Sequence, residues 1–166
     1  MIWLLLAHLV AAISAPVIVR GLGRNAFFLL AAVPASAAVW AAANTARVLA
    51  QPIEATYRWV PSLDLDLVFR IDVLSWLMML IVGGVGALVL VYSARYFSAD
   101  APSLGRFLAF FVGFAGAMLG VVMSDQTMAV YLFWELTSVL SFLLIGFHFG
   151  RRPARAAARQ GILVTG

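Results

Sequence analysis

Residues 128–149 read MAVYLFWELTSVLSFLLIGFHF, an apolar run whose only acid is Glu135. At about 1.5 Å of rise per residue, such a helix crosses the ~30 Å hydrocarbon core of a bilayer. That length fixes the segment as membrane-spanning, and the acid inside it raises the question of function.

The composition extends the reading to the whole chain. It has 166 residues, 64% hydrophobic and only 11% charged, with a mean hydropathy of +1.04. Soluble domains carry about 25% charged residues, so the class is integral membrane. There is no cysteine, which excludes a disulfide framework, a thiolate metal site and a cysteine nucleophile. The net charge of +4 comes from arginine alone, because the chain contains no lysine. These arginines stand singly or in short groups between apolar runs, which suits anchoring at a bilayer surface and argues against a nucleic-acid partner.

Five runs are long enough to span, near residues 2–19, 26–50, 71–92, 107–123 and 128–149. The second is Ala-rich and interrupted by Pro34. Barrel strands would show alternating segments of about ten residues, which these are not, so the expected class is all-α integral membrane. The chain reads as a single membrane domain, 1–166, without internal repeats. After Arg159 only QGILVTG remains, rising ~10 Å if helical, so a sixth helix is expected to start from about residue 155. Either the chain is a fragment or this end stays at the inner surface.

Charge sets the orientation. No basic residue precedes the first run, while Arg20 and Arg24 follow it, an order that disfavours a cleaved signal peptide at SAP, 14–16. With the N-terminus outside, the inner loops hold Arg20, Arg24, Arg95, Arg106, Arg151, Arg152, Arg155 and Arg159. The outer segments hold only Arg47, Arg58 and Arg70 beside Glu54, Asp64, Asp66 and Asp72. The positive-inside rule therefore predicts a multi-pass chain in a bacterial cell (inner) membrane with an extracytoplasmic N-terminus.

The outer segment 51–70 contains SLDLDLVFR, which alternates apolar and polar residues over Leu63–Val68. That period predicts a short β-hairpin-like segment between helices 2 and 3. Asp72 is expected to cap the third span, Trp76 to lie at the interface, and Asp125 to cap the fifth.

Glu135 lies about 10 Å inside its span, with about 20 Å remaining to the inner end. An acid at that depth costs several kcal/mol unless it is paired, protonated or facing a wet cavity. Helical spacing places Tyr131, Ser138 and Phe142 on its face, and Tyr131 and Ser138 form a possible supporting polar surface. No arginine is buried in a span, and His8 is the other ionisable group well inside the membrane. His148 is about 20 Å further along the helix, too far for contact. The expected partner of Glu135 is a cation that this chain does not contain. A carboxylate able to change protonation suits a proton relay; the plain alternative is a protonated side chain joining two helices by hydrogen bonds. His8 and His148 are secondary relay candidates, against a satisfied bundle histidine and an interfacial one. The glycines of GGVGALVLVYS (83–93), with Gly116 and Gly120, read as sites of close helix approach.

FRIDVLSWLMMLIVGGVGALVLVYSARYF (69–97) and RFLAFFVGFAGAMLGVVMSDQTMAVYLFWELTSVLSFLLIGF (106–147) resemble the antiporter-like membrane subunits. These are shared by respiratory NADH dehydrogenase, membrane-bound hydrogenases and Mrp-type multisubunit sodium/proton antiporters, and the second stretch looks closest to the A subunit of the Mrp type. The similarity covers roughly residues 60–166. It implies that Glu135 is the proton-handling acid, with a lysine partner on a later helix. It implies a fold of about fourteen helices with two inverted five-helix repeats, of which this chain would supply the beginning. The expected function is a subunit of a monovalent cation (Na+)/proton antiporter. Its partners would be other subunits of a hetero-oligomeric membrane complex, Na+ and H+, and the lipid bilayer. The alternatives are a proton-pumping subunit of an NADH:quinone oxidoreductase or hydrogenase complex, and a structural or assembly piece without transport. No cofactor, metal site or catalytic constellation is expected, since neither a phosphate loop nor a nucleophile–base pair is present.

Overall fold

The structure, a computed structural model, describes residues 1–60, 65–97, 103–147 and 160–161. The elements in chain order are α1 (Ile2–Leu22), α2 (Asn25–Ala43), α3 (Thr45–Ala50), β1 (Ile53–Val60), β2 (Leu65–Ile71), α4 (Val73–Tyr96), α5 (Leu104–Met123) and α6 (Thr127–Ile145). Among the described residues five helices, all except the short α3, are long and apolar enough to cross a membrane. The reach to Ala50 is divided at Asn44, whose side chain donates to the Trp40 carbonyl and draws the chain out of α2 into α3. The expected sixth helix and His148 lie outside the described residues, apart from a helical step at Gln160 and Gly161.

Close helix approach organises the bundle. α4 lies on α2 because Gly83 has no side chain: a Cβ there would stand 2.6 Å from the Pro34 carbonyl oxygen and 2.7 Å from the Ala38 nitrogen. α5 lies on α1 in the same way, with Gly105 over Pro16 and Gly116 over His8. Gly120 meets the ring of Phe133, which brings α6 against α5. These contacts leave α1 and α6 flanking α5, while α2 and α4 form a second pair behind them.

Two apolar clusters fill the interior. One joins Phe27, Leu30, Leu90, Leu104, Leu108 and Val112. An aromatic group adjoins it, with Phe97 and Phe107 ring centroids 4.8 Å apart. The other, at the hairpin end, joins Leu4, Val48, Phe69, Ile71, Met79, Leu119 and Met123.

β1 and β2 form the expected hairpin, antiparallel with Ile53 opposite Ile71 and Tyr57 opposite Leu67. The two-residue period separates its faces. Phe69 and Ile71 are buried and Ile53, Tyr57 and Leu67 pack against their cluster, whereas Glu54 and Arg70 form an exposed pair at 3.8 Å. Exposed pairs of that kind contribute little.

Asp72 caps α4 as expected, its Oδ1 accepting from the Ser75 N–H at 2.9 Å. That bond to the backbone is the main cause holding its carboxyl below the ordinary aspartate range. Trp76 donates its indole N–H to the Ala41 carbonyl at 2.9 Å and so ties α4 to α2. Asp125 does not cap α6. The N-cap position belongs to Gln126, which makes no side-chain cap bond, and Asp125 uses its backbone N–H on the hairpin instead.

Candidate functional site

α6 forms from a long apolar run and starts directly after a short extended link from α5. Ser124 closes α5 with its hydroxyl on the Gly120 carbonyl at 2.7 Å. It also forms an antiparallel bridge with Phe69 of β2, and the Asp125 N–H donates to the Val68 carbonyl at 2.9 Å. Glu135 follows two turns into the helix, about 12 Å from its start. Its side chain is half-buried, and among the described residues it makes no hydrogen bond or ion pair.

Of the neighbours expected on the same face, Ser138 is buried at 6% exposure, while Tyr131 is 64% exposed. α6 itself is the least covered of the five spans, with only Ala129 and Ser138 of its residues buried. Its principal packing partner among the described elements is α5. The carboxylate therefore stands beside a helix face that nothing within the described residues covers.

His8 occupies a different place. It is 1% exposed on α1, packed on Gly116 of α5. Its Nδ1 lies 2.8 Å from the Leu4 carbonyl oxygen. A carbonyl only accepts, so Nδ1 carries the proton and Nε2 of the neutral ring is a lone-pair acceptor. Nε2 has no partner among the described residues. The ring borders an apolar cleft of about 370 Å³ between α1, α5 and α6, which Phe133, Leu136 and Leu140 also line and Glu135 does not. Glu135 is thus not a neighbour of His8 in this cleft. No group of three or more His, Asp or Glu suited to a metal ion occurs among the described residues.

The link through Ser124 and Asp125 is invisible to sequence inspection, because it is made by backbone atoms. The alternation over Leu63–Val68 signalled a strand, but not that β2 would find a partner after α5.

Comparison with known proteins places this geometry. A family profile described as NADH-Ubiquinone oxidoreductase (complex I), chain 5 N-terminus, matches residues 59–108. The chain is 43% identical over 113 residues to the A subunit of the Na(+)/H(+) antiporter of Alkalihalophilus pseudofirmus, covering 68% of this chain and 14% of that protein. It is 41% identical over 110 residues to the A1 subunit of a Staphylococcus aureus Na(+)/H(+) antiporter, covering 66% of this chain and again 14% of the relative. A chain in the structure of the Mrp complex from Dietzia sp. DQ12-45-1b superposes with a TM-score of 0.83 at 29% identity, covering 98% of this chain and 17% of its own. This chain thus spans about a sixth of the length of the proteins it matches. With five apolar spans, a hairpin between the second and the next of them, and this likeness from end to end, the chain belongs to the antiporter-like membrane subunits, as the N-terminal region that the Mrp-type A subunit shares with chain 5 of complex I.

Proposed function

We propose that the chain is the leading part of a subunit of a monovalent cation/proton antiporter, with sodium as the cation, and that Glu135 loads and releases the proton. The observation that carries this is a half-buried carboxylate, without a partner among the described residues, two turns inside a membrane-spanning helix. Burying such a group is costly unless it has work that needs it there. The identity to Na(+)/H(+) antiporter subunits supports the choice of ions. The uncovered face of α6 supports assembly with further helices, one of which would bring a cation to Glu135. Tyr131 and Ser138 would assist by hydrogen bonding, and His8 would serve as a secondary proton site. The bacterial relatives and the arginine distribution support a cell-membrane location with the N-terminus and hairpin outside.

A second reading is supported by the match of residues 59–108 to complex I chain 5: the same carboxylate would be driven by electron transfer in a partner. Glu135→Gln in the intact complex tests the shared step. Assembly should persist and cation-dependent proton flux should be lost; undiminished flux would remove Glu135 from the mechanism. If loss of flux follows quinone reduction rather than a sodium gradient, the second reading holds.

A further inference from the structure

The start of α6 is tied to the hairpin rather than to a side-chain cap. Its N-cap residue, Gln126, makes no side-chain bond to the helix, so local sequence does not fix where the first turn begins. Instead the preceding residues pair with the hairpin, through the Phe69–Ser124 bridge and the Asp125 N–H on the Val68 carbonyl at 2.9 Å. The hairpin is in turn anchored: Phe69 and Ile71 are 1% and 0% exposed, set among Leu4, Met79, Leu119 and Met123 of three helices. The rest of α6 has little to hold it, being scarcely covered beyond its contact with α5.

Helical geometry makes the register of that link consequential. Each residue of a helix turns the chain by about 100° and advances it about 1.5 Å. A slip of one residue at Ser124–Asp125 would swing Glu135 through about 100°, away from its half-buried position and towards the open side of the helix, where a carboxylate in lipid is costly. Pairing with β2 resists such a slip, because β2 is held in place by the burial of Phe69 and Ile71, and the link could shift only by giving up its bridge to Phe69 and its bond to the Val68 carbonyl.

We infer that the β1–β2 hairpin is a positioning device for Glu135: its bridge to Ser124 and Asp125 sets the register at which α6 begins, and through the rigid helix the direction in which the carboxylate points. Asp125 acts through its backbone N–H and Phe69 through its burial, both as positioning residues. This inference rests on Glu135 as the proton site for its functional meaning, but not for its structural content.

The test is a spin-label scan of α6, one cysteine at a time from Val130 to Val139 with Glu135 left in place, in the full-length protein in its membrane. The 166 residues contain no cysteine, so each label in this region is unambiguous. Wild-type protein should show oxygen accessibility with a helical period and its minimum near Ser138. One alanine inserted between Gln126 and Thr127 should move the whole pattern by one residue, a rotation of about 100°, and abolish coupled flux. Asp125→Pro, which removes the donor, should displace or flatten the pattern, whereas Asp125→Ala, which keeps the N–H, should retain both pattern and flux. A pattern that stays in register with α5 despite the insertion would overturn the inference. If the insertion variant does not assemble, an undisturbed pattern in Asp125→Pro overturns it equally. Failure of Glu135→Gln to alter flux would remove the proton role and leave the register result standing.

Discussion

Arg24 shows how much one side chain does at the end of the bundle opposite the hairpin. Its Nε and Nη2 both donate to the Ala94 carbonyl, at 2.8 and 2.6 Å, near the end of α4 where backbone acceptors run out of helical donors. A guanidinium there also complements the helix dipole. Arg24→Ala should cost about 1.5–3 kcal/mol, the worth of hydrogen bonds from a charged donor. Arg24→Lys should recover only part, because an ammonium lacks the planar fork. Thermal melting of the purified protein in detergent measures both, and an unchanged melting temperature in Arg24→Ala would contradict the clasp. Glu135 is the opposite kind of residue: it has no partner among the described residues to lose, so Glu135→Gln should leave melting nearly unchanged while flux disappears.

At the scale of elements, glycine position decides which helices touch. Gly83 and Gly84 are adjacent, yet a Cβ at Gly83 would collide with the backbone of Pro34 and Ala38, and one at Gly84 meets nothing within 4 Å. Gly83→Ala should force α2 and α4 apart at a cost of about 1–3 kcal/mol, while Gly84→Ala should be neutral or slightly stabilising; equal effects in melting experiments would refute this packing. The Asp72 cap gives a pH-dependent case. Its folded pKa is depressed, so its contribution, about 1 kcal/mol for a good cap, is present above the unfolded pKa of ~3.9 and lost as pH falls through the lower folded value. The stability gap between wild type and Asp72→Ala should therefore be full at neutral pH and close on acidification; a gap independent of pH would mean the carboxylate is not the cap. The roles of Gly83, Gly86, Gly116, Gly120 and Asp72 were legible in sequence, because small residues and caps leave local signals, but Gly84, read the same way, faces open space. Asp125 looked like a cap by the same rule and is not one: the N-cap position falls on Gln126, and the Asp125 backbone N–H donates to the Val68 carbonyl. Pairing between residues so far apart in the chain leaves no local trace.

For the whole molecule, the five spans and the hairpin were legible because bilayer thickness and the strand period impose themselves on any sequence that satisfies them. The bundle's pairing was not, because helices that are apolar all round do not announce their neighbours. Nor was the burial of His8 on Gly116, in a cleft that Glu135 does not line, which only packing reveals. The orientation proposed from the arginine distribution has its own check: Glu54→Cys on the hairpin should react with an impermeant thiol reagent in intact cells, and reaction only in inverted vesicles would reverse the topology. Everything functional converges on whether the Glu135 carboxyl changes its protonation during turnover. Infrared difference spectra of the assembled protein, recorded on imposing a sodium gradient, should contain a carboxyl band that vanishes in Glu135→Gln. An identical spectrum in wild type and variant would contradict the account.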